Sequence, residues 1–272
     1  MSFGDKVYFT TGDISFMQKK TSSAIFFNKK MLAEKFPDTD PYQMVRQSAW
    51  TFDKLQSMSK AVTADTDGDN MLTYKDTWGL VSSYSDPFYF YLASGGRIID
   101  KDASNLPQVG YTGQSLDMLT NLLRLFQSGE KWANFAQEND TDDIWKMNLD
   151  IFGEGRALFR TSAFAACEKL TDYDVEYGIL PMPKYDESQE KYYTPCAASL
   201  AYGITIPVNV PDPEFSAYMI EVMAFEAKNY TPMFPRYRKT TKTGKCSKLF
   251  SAISFMTGIF FTRRFTGKFR TL

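Results

Sequence analysis

The chain has 272 residues, 43% of them hydrophobic and 16% aromatic, with a net charge of −1. This composition indicates a globular protein with one large domain or two modest ones, and it argues against a disordered chain. The sequence contains no histidine. Ser-His-Asp, Cys-His and histidine-zinc sites are therefore excluded, whereas catalysis by carboxylates alone stays open.

The charge is divided unevenly along the chain. The first 230 residues carry all 32 acidic residues and 21 of the 31 basic ones, a net charge of −11, while residues 231–272 carry ten basic residues and no acid. Such an asymmetry marks a separate tail or a segment of different origin. Our hypothesis is that 231–272 is an out-of-frame or otherwise foreign product. The alternative is a real basic tail that binds a membrane surface or nucleic acid.

The cysteines and the apolar runs set further limits. Cys167 and Cys196 could pair in an oxidising compartment or remain buried thiols, and together with Cys246 they show no metal-binding spacing. No charged-then-apolar leader is expected at the N-terminus. The longest apolar run, at 249–261, has 13 residues, and a bilayer span needs about 20.

In chain order, short strands alternate with helices. Strands are predicted at 6–10, 22–27, 157–159, 175–180 and 203–208 from β-branched and aromatic content. Helices are predicted from Met31 to Pro37, after the cap Thr51, at 116–126, at 142–152 and after Asp212-Pro213. Phe215, Met219, Val222 and Phe225 are the expected buried face of the last helix. This alternation predicts an α/β layered fold.

The stretch from Asp65 to Asp100 combines three features that are typical of a cleft lining. It opens with alternating carboxylates and closes on Gly95-Gly96. Between them lie six aromatic residues within fourteen positions, namely Trp78, Tyr84, Phe88, Tyr89, Phe90 and Tyr91. A polar loop, an aromatic wall and a glycine turn in succession predict one side of a binding cleft.

The first part of this stretch resembles an EF-hand calcium loop. Its acids stand at positions one, three, five and twelve, with a seventh-position residue and an apolar eighth between them: Asp65, Asp67, Asp69, Met71, Leu72 and Asp76. Clustered carboxylates at close range favour a hard cation such as Ca²⁺. Asn70 replaces the usual glycine but tolerates a left-handed backbone, and Asp76 is shorter than the usual glutamate. We predict a structural Ca²⁺ site, and the alternative is a solvated acidic turn.

Five further segments follow a recognisable order along the chain. They read Ala24-Ile-Phe-Phe-Asn-Lys-Lys30, Ala49-Trp-Thr-Phe-Asp-Lys-Leu55, Phe152-Gly-Glu-Gly-Arg-Ala-Leu-Phe159, Gly178-Ile-Leu-Pro-Met-Pro-Lys184 and Gly203-Ile-Thr-Ile-Pro207. In that order they are similar to a strand-then-"YNK" segment, a "WTWDEL" helix start, an "F…GKAAM" strand, a "GVAPLPK" segment and a strand returning to the first lobe. These are motifs of the bacterial extracellular solute-binding proteins, the capture subunits of carbohydrate ABC importers, which the chain therefore resembles.

This resemblance implies a periplasmic-binding-protein-like fold of two α/β lobes that close on ligand by a hinge. Residues 22–200 would form the second lobe, nearly complete, with 1–21 and 201–230 as pieces of a fragmentary first lobe and 231–272 as the doubtful tail. About a hundred residues of the first lobe would then be missing from this truncated chain. The resemblance also implies an extracellular or membrane-anchored monomer that is not an enzyme, binds carbohydrate and no nucleic acid, and docks on ABC permease subunits.

The resemblance also suggests ligand-binding residues. Asp86-Pro87-Phe88 occupies the place of the acid-Pro-aromatic segment that contacts sugar in maltose-binding members, with Phe88 as platform and Asp86 as acceptor. Phe164 is the nearest match to an aromatic residue beyond the "GKAAM" strand, although its context differs. Arg160 could donate to hydroxyls or a carboxylate. The alternatives are a core Phe88 behind a helix-starting Pro87, and a surface ion pair for Arg160.

The leading hypothesis is thus a non-enzymatic protein that captures a carbohydrate, an oligosaccharide in particular. A carboxylate-dependent glycoside hydrolase is the second hypothesis, and it needs two acids about 5–10 Å apart across the scissile bond. A third possibility is that a truncated chain of this kind binds nothing.

Overall fold

The computed structural model describes residues 2–4, 6–9, 11–12, 14–15, 17–110, 113–127, 129–196 and 202–229. The basic tail and Cys246 therefore lie outside the described residues. The strands are β1 Ser2–Phe3, β2 Lys6–Val7, β3 Ser23–Asn28, β4 Trp78–Ser82, β5 Ile99–Lys101, β6 Pro107–Val109, β7 Ala133–Phe135, β8 Ala157–Ala163 and β9 Tyr177–Leu180. The α-helices are α1 Met17–Lys20, α2 Lys29–Lys35, α3 Pro41–Arg46, α4 Phe52–Val62, α5 Asp86–Ala93, α6 Gly113–Phe126, α7 Ile144–Gly153, α8 Ala166–Lys169 and α9 Pro213–Asn229. Short 3₁₀ turns span Ala136–Glu138 and Leu170–Asp172.

A five-stranded mixed sheet in the order β7-β4-β8-β3-β9 organises the chain. Strand β4 runs parallel to β7 and β8, and β3 runs antiparallel to β8 and β9. Strands β3 and β4 are buried along their whole length, as expected for strands covered on both faces. The predicted α/β fold is thus confirmed.

An aromatic cluster packs α4, α5 and α6 together beside the sheet. Phe52, Phe90, Phe126 and Trp132 meet with ring centroids between 5.3 and 6.1 Å apart, mostly edge to face. These are favourable arrangements for aromatic rings. Through Phe90, the cluster holds the middle of α5 against α4 and α6.

Helix starts follow the capping signals in the sequence. The Thr51 side chain accepts a hydrogen bond from the Lys54 N–H at 3.3 Å at the start of α4. Asp212 accepts one from the Phe215 N–H at 2.8 Å at the start of α9. Each bond satisfies a backbone donor that the helix itself leaves unpaired. Both predicted helix starts are confirmed.

Two predictions near the end of the described chain are wrong. Residues 203–208 form no continuous strand, and within 202–229 only Ile204 makes a bridge. The predicted buried face of α9 is not buried, since Phe215, Met219 and Phe225 are exposed and Val222 is only half-buried. The helical period was read correctly, but no described part of the chain covers this face.

The start of the chain lies against the segment before α9. The Thr205 hydroxyl donates to the Tyr8 carbonyl at 2.8 Å, and Gly203 lies directly against the Phe9 ring. The lobe boundaries proposed from the sequence stay a prediction.

Cys167 and Cys196 are not joined by a disulfide. In the described ranges, no helix combines the length and apolar character that crossing a bilayer requires.

Candidate functional site

Three parallel strands end at the same edge of the sheet. Because β4, β7 and β8 are parallel, their carboxyl ends, at Ser82, Phe135 and Ala163, lie at the same edge. Helix α5 begins just after β4. Helix α7 precedes β8 and runs back over the sheet, so its first residues lie at this edge too. Ligands of open α/β sheets bind outside the carboxyl ends of the strands.

Three exposed aromatic side chains stand on the segments that leave this edge. Tyr84 is 59% exposed, Phe88 39% and Trp145 57%. Tyr84 lies in the β4–α5 connection, Phe88 in the first turn of α5, and Trp145 in the first turn of α7. Such flat apolar faces suit the C–H faces of sugar rings, so this edge can hold a carbohydrate by stacking.

Polar groups of the segment after β7 hold Tyr84 in place. The Gln137 Oε1 accepts from the Tyr84 N–H at 3.0 Å, and the Tyr84 hydroxyl lies 3.4 Å from Glu138 Oε1. The ring also packs on Phe135 at 5.5 Å. Partial desolvation raises the pKa of Tyr84, and the Glu138 carboxylate raises it further, so the hydroxyl is protonated and donates at neutral pH.

Trp145, Gln137 and Glu138 were not among the residues predicted to bind ligand. Trp145 follows the helix cap Asp143, whose carboxylate accepts from the Trp145 and Lys146 N–H groups. The sequence predicts both a helix at 142–152 and the strand at 157–159 that follows it. Their order alone places a first-turn tryptophan at the carboxyl edge, and that signal could have identified it.

Asp86 accepts hydrogen bonds from the residues just before it in the chain. Its side chain is buried, and its oxygens accept from the Ser82 hydroxyl at 2.8 Å and from the Ser83 N–H and hydroxyl at 2.9 and 3.0 Å. Burial raises the pKa of Asp86, against the lowering effect of these donors and of Arg160. The Asp86 carboxylate is thus closed off from solvent, and its role as an acceptor for sugar hydroxyls stays a prediction. Pro87 is buried in the first turn of α5, as the alternative interpretation had it.

Arg160 is also buried, so the surface ion pair considered from the sequence is not formed. Its Nε donates to Asn148 Oδ1 at 2.9 Å, and Asn148 Nδ2 donates to the Ser82 carbonyl at 2.9 Å. Burial lowers the pKa of Arg160 to about 10, although the nearby Asp86 charge raises it. The guanidinium remains protonated at neutral pH and lies under the edge.

Phe164 does not form a second open platform. Its side chain is 2% exposed, and its backbone N–H donates to the Ser22 carbonyl at 3.0 Å beside β3. The predicted aromatic wall is divided in the same way, since Trp78, Phe90 and Tyr91 belong to the core. Side chains of a compact run alternate between core and surface, so only some of a run of aromatics can reach a ligand.

The acidic loop lies at the other end of β4. Asp65, Asp67 and Asp76 bring carboxylate oxygens within 4.8 Å of one another, while Asp69 is outside this group. Asn70 adopts φ +64° and Gly68 φ +78°, so the loop does turn through the left-handed region that Asn70 was expected to tolerate. Both oxygens of Asp65 accept backbone N–H groups, from Gly68 at 2.7 Å and Asn70 at 2.8 Å.

The electrostatics of the loop favour a cation. A hydrogen bond from the Asp69 N–H lowers the pKa of Asp67, but desolvation and the Asp69, Asp76 and Asp65 carboxylates outweigh it and the pKa is raised. Repulsion of this kind is what a divalent cation relieves. Asp67 and Asp69 also accept N–H bonds within the loop, from Asp69 at 3.2 Å and Met71 at 2.7 Å.

Asp76 is the buried member of the group. Its two oxygens accept from the Thr66 and Thr73 N–H groups, each at 2.8 Å, and from both threonine hydroxyls at 3.2 Å. The two long hydroxyl contacts are the weaker ones and hydroxyls rotate freely. A cation at Asp76 would replace those hydroxyl contacts and leave the two backbone bonds intact, so the donor set fits Ca²⁺.

Comparison with known proteins was made by sequence and by structure. No protein-family model matches the sequence, and no curated protein matches it. Among solved structures, the maltose/maltodextrin-binding domain MalE from Bdellovibrio bacteriovorus, bound to maltotriose, matches with a TM-score of 0.52 and 17% identity over 87% of this chain and 58% of its own. A cyclo/maltodextrin-binding protein complexed with maltotetraose matches with a TM-score of 0.51 and 16% identity over 91% of this chain and 55% of its own.

At these identities the match shows the fold. The chain spans little more than half the length of either protein. The fold expected from the sequence is confirmed: this chain has part of the two-lobe α/β fold of maltodextrin-binding proteins.

Proposed function

We propose that this protein is an extracellular solute-binding component that captures a carbohydrate, and in particular an oligosaccharide, without altering it. The observation that carries the proposal is the placing of three exposed aromatic side chains at the carboxyl edge of a sheet with the maltodextrin-binding fold. Solved proteins of this fold hold maltotriose and maltotetraose. An oligosaccharide has several ring faces, and several separate platforms suit it better than a monosaccharide.

The contacts that we propose differ in part from those suggested by the sequence. Tyr84, Phe88 and Trp145 stack on sugar faces, while Glu138 and the Tyr84 hydroxyl bond to sugar hydroxyls. Asp86, Pro87, Arg160 and Phe164 are buried, and in this proposal Asp86 and Arg160 support the surface from below. Delivery to ABC permease subunits, action as a monomer and an extracellular or membrane-anchored location complete the proposal.

Tryptophan fluorescence offers a direct test, because three of the four tryptophans, Trp50, Trp78 and Trp132, are buried. Acrylamide quenching therefore reports mainly on Trp145. We expect maltotriose or maltotetraose, or another neutral oligosaccharide chosen from a glycan array, to reduce the quenching and shift the emission. Chromatography of the same mixture should show the oligosaccharide unchanged.

The Trp145→Phe variant is the control, since the three buried tryptophans remain and the sugar-dependent change should vanish. An array on which no glycan is retained, together with quenching that no oligosaccharide alters, would overturn the proposal. Release of shorter sugars during the incubation would instead show hydrolysis and overturn the assignment as a binding protein.

We also propose that the acidic loop binds Ca²⁺ in a structural role. Asp65, Asp67 and Asp76 supply the oxygens, joined by Asp69 and the Met71 backbone carbonyl at the positions that EF-hand loops use. The donor cluster within 4.8 Å supports this assignment. The loop lies before β4 and the aromatic edge after it, so the cation does not contact the sugar.

A further inference from the structure

A chain of buried hydrogen bonds links four elements beneath the aromatic edge. Arg160 of β8 donates to Asn148 of α7 at 2.9 Å, Asn148 donates to the Ser82 carbonyl at the end of β4 at 2.9 Å, and the Ser82 hydroxyl donates to Asp86 of α5 at 2.8 Å. All four side chains are buried. The last hydrogen bond of this chain reaches Asp86, which lies between Tyr84 and Phe88 in the sequence.

The start of α5 depends on this chain because its ordinary cap is missing. Ser85 stands at the N-cap position but makes no side-chain capping bond to the helix. Its hydroxyl lies instead 2.8 Å from the Ser83 hydroxyl, which donates to Asp86. A helix start without a cap bond is held less firmly, so the Asp86 carboxylate and its partners hold this one.

Arg160 is costly for a purely structural residue. A buried guanidinium loses its hydration, and its Nη1 has no hydrogen-bond partner among the described residues. A buried charge of this kind contributes less to stability than an apolar side chain of similar size. The positive charge of Arg160 does, however, favour the ionised form of the Asp86 carboxyl group. That form can accept all three hydrogen bonds, from the Ser82 hydroxyl and from the Ser83 N–H and hydroxyl.

We propose that Arg160 and Asn148 are positioning residues, which fix the Ser82–Asp86 connection and thereby the orientation of Phe88 and Tyr84 at the edge. The consequence for ligand rests on the proposed function, but the positioning itself does not. Loss of the chain should loosen 82–88 while the sheet remains folded. The ligand-free protein can therefore test it.

The test uses 4-fluorophenylalanine incorporated at position 88, read by ¹⁹F NMR, together with amide hydrogen exchange over residues 82–88. The variants are Asn148→Ala, which breaks the chain, and Arg160→Lys, which keeps the charge but loses the Nε donor. The matched control is Thr161→Val, beside Arg160 on β8. Thr161 is buried, and its hydroxyl has no hydrogen-bond partner among the described residues.

We expect Asn148→Ala to split or broaden the fluorine line and to speed exchange over 82–88 about tenfold, with exchange in β3 unchanged. Arg160→Lys should do the same to a smaller extent, and Thr161→Val should match the wild type. The proposal is overturned if both chain variants resemble the wild type, or if Thr161→Val produces the same change as they do. A positive result with no sugar binding would leave the positioning intact and refute the proposed function alone.

Discussion

Asp76 shows how one carboxylate organises a loop. It is fully buried, and four donors from Thr66 and Thr73 converge on it. In Asp76→Asn one oxygen becomes an NH₂ group that faces donors. Since buried donors would then lack an acceptor, we expect a loss of about 1–3 kcal/mol in the free energy of unfolding. Urea denaturation in calcium-free buffer measures it, with the exposed Asp38→Asn as a control that should change little.

The same residue predicts a pH dependence. Burial raises the pKa of Asp76, but the hydrogen bonds from Thr66 and Thr73 outweigh it and the folded-state pKa is lowered. The ionised group therefore stabilises the fold above the unfolded pKa of about 3.9, and this contribution is lost as the pH falls through the folded value. The free energies of unfolding of wild type and Asp76→Asn should differ by a constant amount above about pH 5, and this difference should shrink in acid. A difference that grows towards acid would contradict the assignment.

Phe88 carries the prediction for ligand affinity at the residue scale. It is the only one of the predicted ligand-binding residues with a substantially exposed side chain, at 39%. Removing a stacking platform in Phe88→Ala should weaken oligosaccharide binding roughly three- to tenfold. Calorimetric titration measures this change. Tyr74→Ala, at the opposite end of β4, is the matched control and should leave the affinity unaltered.

Helix α4 and strand β4 approach closely enough that only glycine fits between them. A Cβ added at Gly79 would lie 2.1 Å from the Ser59 carbonyl oxygen, whereas one at Gly113 would meet no atom of the described residues within 4 Å. Overpacking against backbone cannot be relieved by a rotamer change. Gly79→Ala should therefore destabilise by about 1–3 kcal/mol or more, and Gly113→Ala should be neutral or slightly stabilising. Thermal unfolding distinguishes them, and equal midpoints would disprove the close packing.

Helix starts and strand positions could be predicted from the sequence because they depend on residues that are close together in the chain. Thr51 and Asp212 cap helices because the capping bond joins residues three apart, and β3 is a strand because its residues favour one. Burial was predicted less well. Phe164 faces the core and Phe225 faces solvent, although both stand in apolar contexts. Which face is covered depends on elements distant in sequence, and local patterns do not carry that information.

Some residues of the candidate site could likewise be predicted from the local sequence, and others could not. Phe88 was predicted from its place after Asp86-Pro87, and its side chain is exposed at the edge. The order of α7 and β8 along the chain places Trp145 at the edge, but Glu138 joins it only because β7 is a parallel neighbour of β4 in the order 7-4-8. That strand order is a property of the whole sheet. Asp86 and Arg160 were predicted from their chemistry, whereas their burial depends on how β4, α5, α7 and β8 pack together and could not be predicted from that chemistry.

For the molecule as a whole, β4 separates the two proposed sites. The acidic loop leads into its first residue, Trp78, and the aromatic edge follows its last, Ser82. The five residues of this buried strand span about 13 Å between their end Cα atoms. Trp78 also donates from its indole nitrogen to the Thr73 carbonyl at 2.7 Å, so the loop is anchored to the strand itself. A cation bound in the loop should therefore stabilise the sheet without reaching the edge.

The last prediction follows from this separation: Ca²⁺ should raise thermal stability and leave oligosaccharide affinity unchanged. At a hundred times its Kd, a ligand of the folded state contributes about 2.7 kcal/mol, which raises the midpoint of a chain of this size by roughly 5–10 °C. Thermal unfolding in Ca²⁺ and in chelator measures the rise, and Mg²⁺ should give less because it demands stricter octahedral geometry. Asp67→Ala should abolish it. A rise that persists in Asp67→Ala would place the cation elsewhere, and a change of sugar affinity with Ca²⁺ would show that β4 couples the two ends.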